Sequence, residues 1–319
     1  MGKHSAANKT DAKGSAKTKA AAKIAANLDQ VRVEVAGDLA QAPVRVAEHL
    51  RFVVGMTLAD IDPASSSGFD GKKADGRAAL AAGAERLSAL QEKLFAEGRG
   101  GGERSLLLVV QGMDTSGKGG IMRHVVGAVD PQGVRHTTFK APTAEERSHH
   151  VLWRIRRALP EPGEIGVFDR SHYEDVLIVR VHKMVPRQVW QGRYASFNRF
   201  EAALVAKGTT VVKVMLHVSR EEQKARLTER LERPDKYWKY NPADVDERAR
   251  WDEYQQAYGD ALQKCSTDVA PWYVVPADHK WYARWAVQQL LIDQLEQLDP
   301  QWPPADFDVE AEKLRLAAT

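Results

Sequence analysis

The sequence predicts an α/β fold, a three-layer α/β/α domain around a five-stranded parallel sheet with a helical extension before it. Two observations carry that prediction. Between residues 104 and 297, apolar runs rich in β-branched residues alternate with segments of helical periodicity. That alternation is the pattern of a parallel sheet covered on both faces. The first run, Leu106–Val110, passes directly into Gly112-Met113-Asp114-Thr115-Ser116-Gly117-Lys118-Gly119-Gly120, and a helix-compatible stretch from Ile121 to Val129 follows. Strand, glycine-rich loop and helix in that order distinguish a phosphate-binding loop from a chance cluster of glycines.

Residues 1–30 read as a basic, disordered tail of Ala, Lys, Thr, Ser and Gly, without aromatic residues. Through residue 31 the chain has six lysines against two aspartates, an excess larger than its whole net charge of +3. The remainder is therefore close to neutral, and any polyanion site in it must come from local clusters of Arg and Lys. Residues 31–103 read as a helical N-terminal extension. Helical segments are expected around Ala47–Arg51 and from Arg77 to Phe95, where Leu80, Leu87, Leu90 and Leu94 recur at helical spacing. Gly98 to Gly102 closes that helix and opens the main domain, 104–300, which leaves a C-terminal tail at 301–319.

Within the main domain the expected strands are Leu106–Val110, Val134–Lys140, Gly166–Phe168, Val211–Val218 and Trp272–Val275. Helices are expected at 119–129, 143–158, about 187–207, 220–232, 244–264 and 280–297. One cysteine, Cys265, excludes an internal disulfide framework and points to a reducing cytoplasm, with the residue itself partly buried. No apolar run approaches the length of a membrane span, and the N-terminus lacks the apolar core of a signal peptide.

The glycine-rich loop is the first site. Its backbone amides, from Gly112, Met113, Thr115, Ser116, Gly117, Gly119 and Gly120, can point into one concavity, and Lys118 adds a full positive charge. Gly119 stands where such loops usually carry the Ser or Thr that ligates a divalent cation. A carboxylate must then supply the ligand, and Asp114 is the first candidate. The second site is Asp169, which ends an apolar strand at the carboxyl edge of the sheet and so joins Asp114 as a candidate Mg²⁺ ligand. Arg170 follows it, placed to neutralise charge on a transferring phosphoryl group.

Basic residues form two further groups. Lys140 ends the second expected strand, and Arg147, His150, Arg154 and Arg157 fall on one face of the expected helix 143–158. Arg226, Arg230 and Arg233, then Lys236 and Lys239, follow the fourth strand, where kinases of this architecture carry a mobile lid, here about 220–245. Glu222, Glu229 and Glu232 are interleaved, so some of these arginines serve only as helix ion pairs. His172 and Tyr173 imitate a general base and a nucleophile. Transfer to a phosphate acceptor needs neither, because its oxygen is already anionic at neutral pH.

Taken together, the loop, Phe139-Lys140-Ala141-Pro142-Thr143, Phe168-Asp169-Arg170-Ser171-His172-Tyr173-Glu174-Asp175-Val176 and Arg233-Pro234-Asp235-Lys236-Tyr237-Trp238-Lys239 resemble polyphosphate kinase family 2. The resemblance spans residues from about 45 to 300. It implies a P-loop kinase fold and Mg²⁺-dependent in-line transfer of a phosphoryl group between inorganic polyphosphate and ADP or AMP, with ATP as product or reverse donor. By position it implies that Lys118 and the loop hold phosphates, that Asp114 and Asp169 position metal and acceptor, and that Arg170 stabilises the transition state. Lys140, Arg147, Arg154, Arg226, Arg230 and Lys239 would then meet the polyphosphate. The stretch from Ser171 to Leu177 is similar to the subgroup acting on both AMP and ADP, whose members often carry Asn where this chain has Asp169. A homo-oligomer is also implied, with neither membrane nor nucleic-acid partners. Two rivals remain open on the residues alone: an ATP-dependent nucleotide or nucleoside kinase, and a non-enzymatic polyanion-binding protein acting through the basic tail.

Overall fold

Strand β1 (Ser105–Gly112) is buried at every residue, as its apolar composition requires, and lies at the centre of the sheet. The others are β2 (Val134–Thr138), β3 (Ile165–Asp169), β4 (Thr209–His217) and β5 (Trp272–Pro276), in the order β2-β3-β1-β4-β5. All four pairings are parallel. This computed structural model describes residues 45–319, which form one unit by their contacts. The expected tail, 1–30, and the start of the extension lie outside the described residues.

All five expected strands are present, with shifts at their ends. β2 stops at Thr138, so Lys140 lies in the loop beyond it. Helices α1 (Val46–Leu50) and α2 (Lys73–Arg99) make up the described part of the extension. α2 lies along α11 (Lys280–Leu298), burying Leu87 and Leu94. Gln288 of α11 donates to the Leu80 carbonyl at 3.0 Å. The segment after β1 forms α3 (Lys118–His124) and then a short 3-10 turn, Val126–Ala128. Two sequence expectations fail. The helix expected over 143–158 is two short ones, α4 (Ala144–Ser148) and α5 (Trp153–Arg157). Between them His150 turns its Nδ1 to accept the Leu152 amide at 3.2 Å, and Leu152 goes into the core. The helix expected over 244–264 breaks at Arg250 into α9 (Ala243–Ala249) and α10 (Trp251–Cys265). The C-terminal tail carries a solvent-exposed helix, α12 (Val309–Ala317).

Between β3 and β4 the chain forms the 3-10 turn His172–Asp175, α6 (Ile178–Val181) and α7 (Arg187–Val205). This region packs over a buried polar cluster. Lys213, fully buried on β4, donates to Glu201 Oε2 at 2.6 Å, to the Tyr173 hydroxyl at 3.0 Å and to the Cys265 carbonyl at 2.6 Å. The Tyr173 hydroxyl donates to Glu201 Oε1 at 2.8 Å, and His172 Nε2 lies 3.2 Å from the same oxygen. His172 and Tyr173 are thus core residues, remote from solvent. Cys265 is fully buried rather than partly so, and burial pushes its thiol up to about 12. After β4 come α8 (Arg220–Glu232), capped by Ser219, and the 3-10 turn Pro234–Lys239. Among the described residues no helix is long and apolar enough to cross a membrane.

Candidate active site

β1 and β3 are neighbours in the sheet, and the register Val110↔Asp169 brings the glycine-rich loop and Asp169 to the same carboxyl edge. Open α/β sheets bind ligands in such a crevice. The loop is tight. Gly112 has φ +151°, and a Cβ there would lie 2.6 Å from Ser116 Oγ and 2.8 Å from the Leu216 carbonyl. Two residues that are not glycine, Thr115 (φ 63°) and Arg170 (φ 65°), also occupy the left-handed region. Strained backbone of this kind concentrates at functional sites because the surrounding structure must hold it.

Lys118 bends back over the loop and donates to the Gly112 carbonyl at 2.6 Å and the Met113 carbonyl at 3.3 Å. Burial lowers its pKa from the ordinary lysine value, against the pull of Asp114. The hydroxyl oxygens of Thr115 and Ser116 are buried and have no hydrogen-bond partner in the protein. Arg170 donates to Asp114 Oδ1 at 2.9 Å and stands 3.8 Å from Glu174. Burial raises the Glu174 pKa above the usual carboxylate value even with Arg170 beside it.

The Asp114–Arg170 pair separates two cavities. The larger, about 900 Å³, holds Asp114, Thr115, Ser116, Gly117, Lys118, Gly119, Gly120, Asp169 and Arg170, together with Lys140, Arg226, Arg230 and Lys239. The smaller, about 210 Å³, is lined by Gly112, Met113, Asp114, Arg170, Glu174, Asp244, Glu247, Tyr254 and Tyr258. Every residue expected at the phosphate loop and the catalytic position therefore converges here.

The expected polyphosphate contacts divide. Lys140, Arg230 and Lys239 reach the large cavity. Arg230 is tethered by Asp244 at 3.1 Å, and the Lys239 ammonium lies over the Trp238 ring at 4.8 Å. Arg226 does not act as a free cation. It is buried and donates to the carbonyls of Thr115 (2.8 Å), Ser116 (3.1 Å), Ala277 (2.6 Å) and Asp278 (2.9 Å), so it braces the loop from behind. Arg147 lies outside both cavities and donates to the Pro142 carbonyl at 2.6 Å. Arg154 lines a separate groove of about 370 Å³ with Lys140, and its charge is shared with Glu146 at 3.6 Å. The break between α4 and α5 removes the common face that would have aligned Arg147 with Arg154.

Sequence reasoning missed Arg123, His124, Lys280 and Arg284, which complete the wall of the large cavity. Arg123 follows the loop lysine by five residues. Lys280 and Arg284 sit at i and i+4 just after β5, a basic pair at the carboxyl edge that could have been read.

The family model described as Polyphosphate kinase 2 (PPK2) matches residues 70–303. A protein of Meiothermus ruber named AMP/ADP-polyphosphate phosphotransferase is 46% identical over 242 residues, covering 76% of this chain and 89% of that one. An ADP-polyphosphate phosphotransferase of Rhodopseudomonas palustris is 44% identical over 231 residues, covering 69% of this chain and 78% of that one. The crystal structure of polyphosphate kinase 2 from Arthrobacter aurescens superposes with a TM-score of 0.85 at 56% identity, covering 87% of this chain and 98% of that one. A kinase-like phosphate loop, the acid of β3 and the basic segment after β4 thus sit within one continuous match: the chain belongs to the polyphosphate kinase 2 family and is a phosphotransferase that uses polyphosphate to phosphorylate nucleotides.

Proposed function

We propose that the site transfers the terminal phosphoryl group of inorganic polyphosphate to AMP and ADP, reversibly and without a phosphoenzyme. The observation that carries this reading is the Asp114–Arg170 pair, 2.9 Å apart, set between a large basic cavity and a small acidic, tyrosine-lined one. A polyanion suits the first. The second suits a nucleoside, whose hydroxyls and base offer donors to Asp244 and Glu247 and a flat face to Tyr254 and Tyr258. Lys118 and the loop amides grip the phosphates at the meeting point, and Arg170 neutralises the charge that spreads over the transferring group.

The residues fit a divalent cation. Asp114 and Asp169 are hard oxygen donors on one cavity, and among the described residues no cluster of three or more His, Cys, Asp or Glu could complete an all-protein cage. Mg²⁺ is characteristically held by one or two carboxylates, with water and substrate phosphates filling the remaining positions. When bound it would screen phosphate charge. The protein's own part is to release Asp114 from Arg170, keep Lys118 charged and hold both substrates in line. The reading also includes a cytoplasmic homo-oligomer. Its support is the resemblance in sequence, the single buried Cys265, and the exposed apolar side chains Trp302, Phe307, Leu314 and Leu316.

Nucleotide product analysis tests the reading. Purified protein with Mg²⁺ and long-chain polyphosphate should make ADP from AMP and ATP from ADP. Product from one acceptor alone would overturn the dual specificity. Transfer from ATP but never from polyphosphate would overturn the donor.

A further inference from the structure

One wall of the small cavity is α9, which carries Asp244 and Glu247 into it. A helix of seven residues is too short to hold its place by its own hydrogen bonds, so its contacts must fix it. On one side α9 is fastened to α8: Arg230 donates to Asp244 at 3.1 Å, and Arg248 donates to Gln223 Oε1 at 2.9 Å. On the other side the tie is Glu247. His182 Nε2 lies 2.8 Å from its Oε1 and 3.0 Å from its Oε2, and the Tyr254 hydroxyl lies 2.5 Å from Oε2. An ionised carboxylate only accepts, so the imidazole Nε2–H and the phenol both donate to it. Burial, then the bond to Glu247, raises the Tyr254 pKa and keeps that hydroxyl protonated. His182 itself stands behind Glu247, outside the cavity. Its own place is fixed from the frame of the fold. The His182 amide donates to the Ile178 carbonyl at 2.9 Å, and Lys183, the next residue, sits in the left-handed region at φ 52° although it is not glycine. Arg180, two residues earlier, ties α6 to α10 through Asp260 at 2.6 Å. A glutamate without such partners spreads over several rotamers, and a ligand that needs one of them bears the entropy of choosing it.

We propose that His182 is a positioning residue for the acceptor: without touching the nucleotide, it fixes the Glu247 carboxylate to receive the nucleoside's donor groups and so sets the affinity for AMP and ADP. This rests on the nucleoside occupying the small cavity. The nucleoside is remote from the transferring group and meets Glu247 equally before and during transfer, so His182 acts on acceptor binding and not on the chemical step.

The test measures steady-state rates of the full chain, varying AMP and ADP at saturating polyphosphate and then polyphosphate at saturating ADP. His182→Ala should raise KM for the acceptors about tenfold, the order of one hydrogen bond to a charged group. The factor should be the same for AMP and ADP, which share the nucleoside. The value of kcat and the KM for polyphosphate should stay within about twofold of wild type. His182→Gln, whose side-chain amide can reach the place of Nε2 and donate, should restore most of the acceptor affinity. A variant that merely folds poorly loses active enzyme, which lowers the apparent kcat and leaves KM unchanged. Glu247→Ala tests the cavity itself: it should raise acceptor KM at least as far, and adding His182→Ala to it should raise KM no further. If Glu247→Ala raises acceptor KM while His182→Ala does not, or if His182→Ala lowers only kcat, the role of His182 is overturned and the cavity assignment stands. If Glu247→Ala leaves acceptor KM unchanged, the nucleoside binds elsewhere, and the assignment and the role of His182 fall together.

Discussion

Lys213→Met is expected to cost about 3–5 kcal/mol of folding stability. Methionine matches the length and shape of lysine, so the packing between the Tyr173 and Trp272 rings, whose centroids lie 5.5 and 5.2 Å from the ammonium, is largely kept. What is lost is the cation. Glu201 is 1% exposed and loses its shortest hydrogen bond, 2.6 Å, while the Cys265 carbonyl loses its 2.6 Å partner. Removing one partner of a buried pair leaves an uncompensated charge, which sets the size of the loss. For a domain of this class that corresponds to a melting temperature lower by about 6–20 °C, at about 2–4 °C per kcal/mol. Adding Glu201→Gln removes the stranded charge and keeps an oxygen for Tyr173 and His172. The double variant should therefore be more stable than Lys213→Met alone, with a coupling of about 1–3 kcal/mol. Thermal melts of the four proteins, followed by near-ultraviolet circular dichroism, give the cycle. A loss below about 1 kcal/mol for Lys213→Met, or strict additivity in the double variant, would refute the reasoning.

Lys118→Ala, Asp114→Ala and Asp169→Ala should each lower turnover at least about 10²-fold with little change in melting temperature, since each removes a charge at the transfer point. Near-normal turnover in a folded variant would remove that residue from the mechanism. Gly112→Ala should destabilise by about 1–3 kcal/mol, because its Cβ would meet the Leu216 carbonyl at 2.8 Å on a backbone with φ +151°; a calorimetric melt equal to wild type would show that the loop yields. Burial pushes Glu201 up, but Lys213 and His172 outweigh it and leave its pKa below the ordinary value of 4.5. A depressed carboxylate contributes stability that is present above the unfolded value and is lost as pH falls through the folded one. Melting temperature should therefore fall below about pH 4.5, and Glu201→Gln should flatten that fall.

The sheet was readable because burial on both faces leaves strands such as Leu106–Val110 almost purely apolar. The loop was readable because its chemistry is local: strand, glycines and lysine follow one another in the chain. Where interactions act at long range, the reading failed. Nothing in 143–158 is a glycine or proline, so local propensity favours one helix, yet Leu152 is drawn into the core and His150 caps the amide that the break exposes. Arg226 has the spacing of a helix-face cation, but the carbonyls that consume it come from the loop and from Ala277 and Asp278, more than fifty residues away along the chain on the nearer side. Arg284 is similarly far from Lys118, and its place over Gly120 depends on how α11 crosses the loop.

At rest, the loop serves as its own ligand. The Lys118 ammonium is held by the Gly112 and Met113 oxygens, and Arg170 is held by Asp114. An incoming anion must replace contacts worth about 1 kcal/mol each before it gains anything. A lone orthophosphate, offering one point of attachment, recovers little more than it displaces. A chain that touches Lys118 and further cations together adds each later contact within a single binding event, at high effective concentration. The self-satisfied loop thereby acts as a threshold: free phosphate, abundant wherever polyphosphate is made and broken, should be a weak competitor, and the site stays open for polymers.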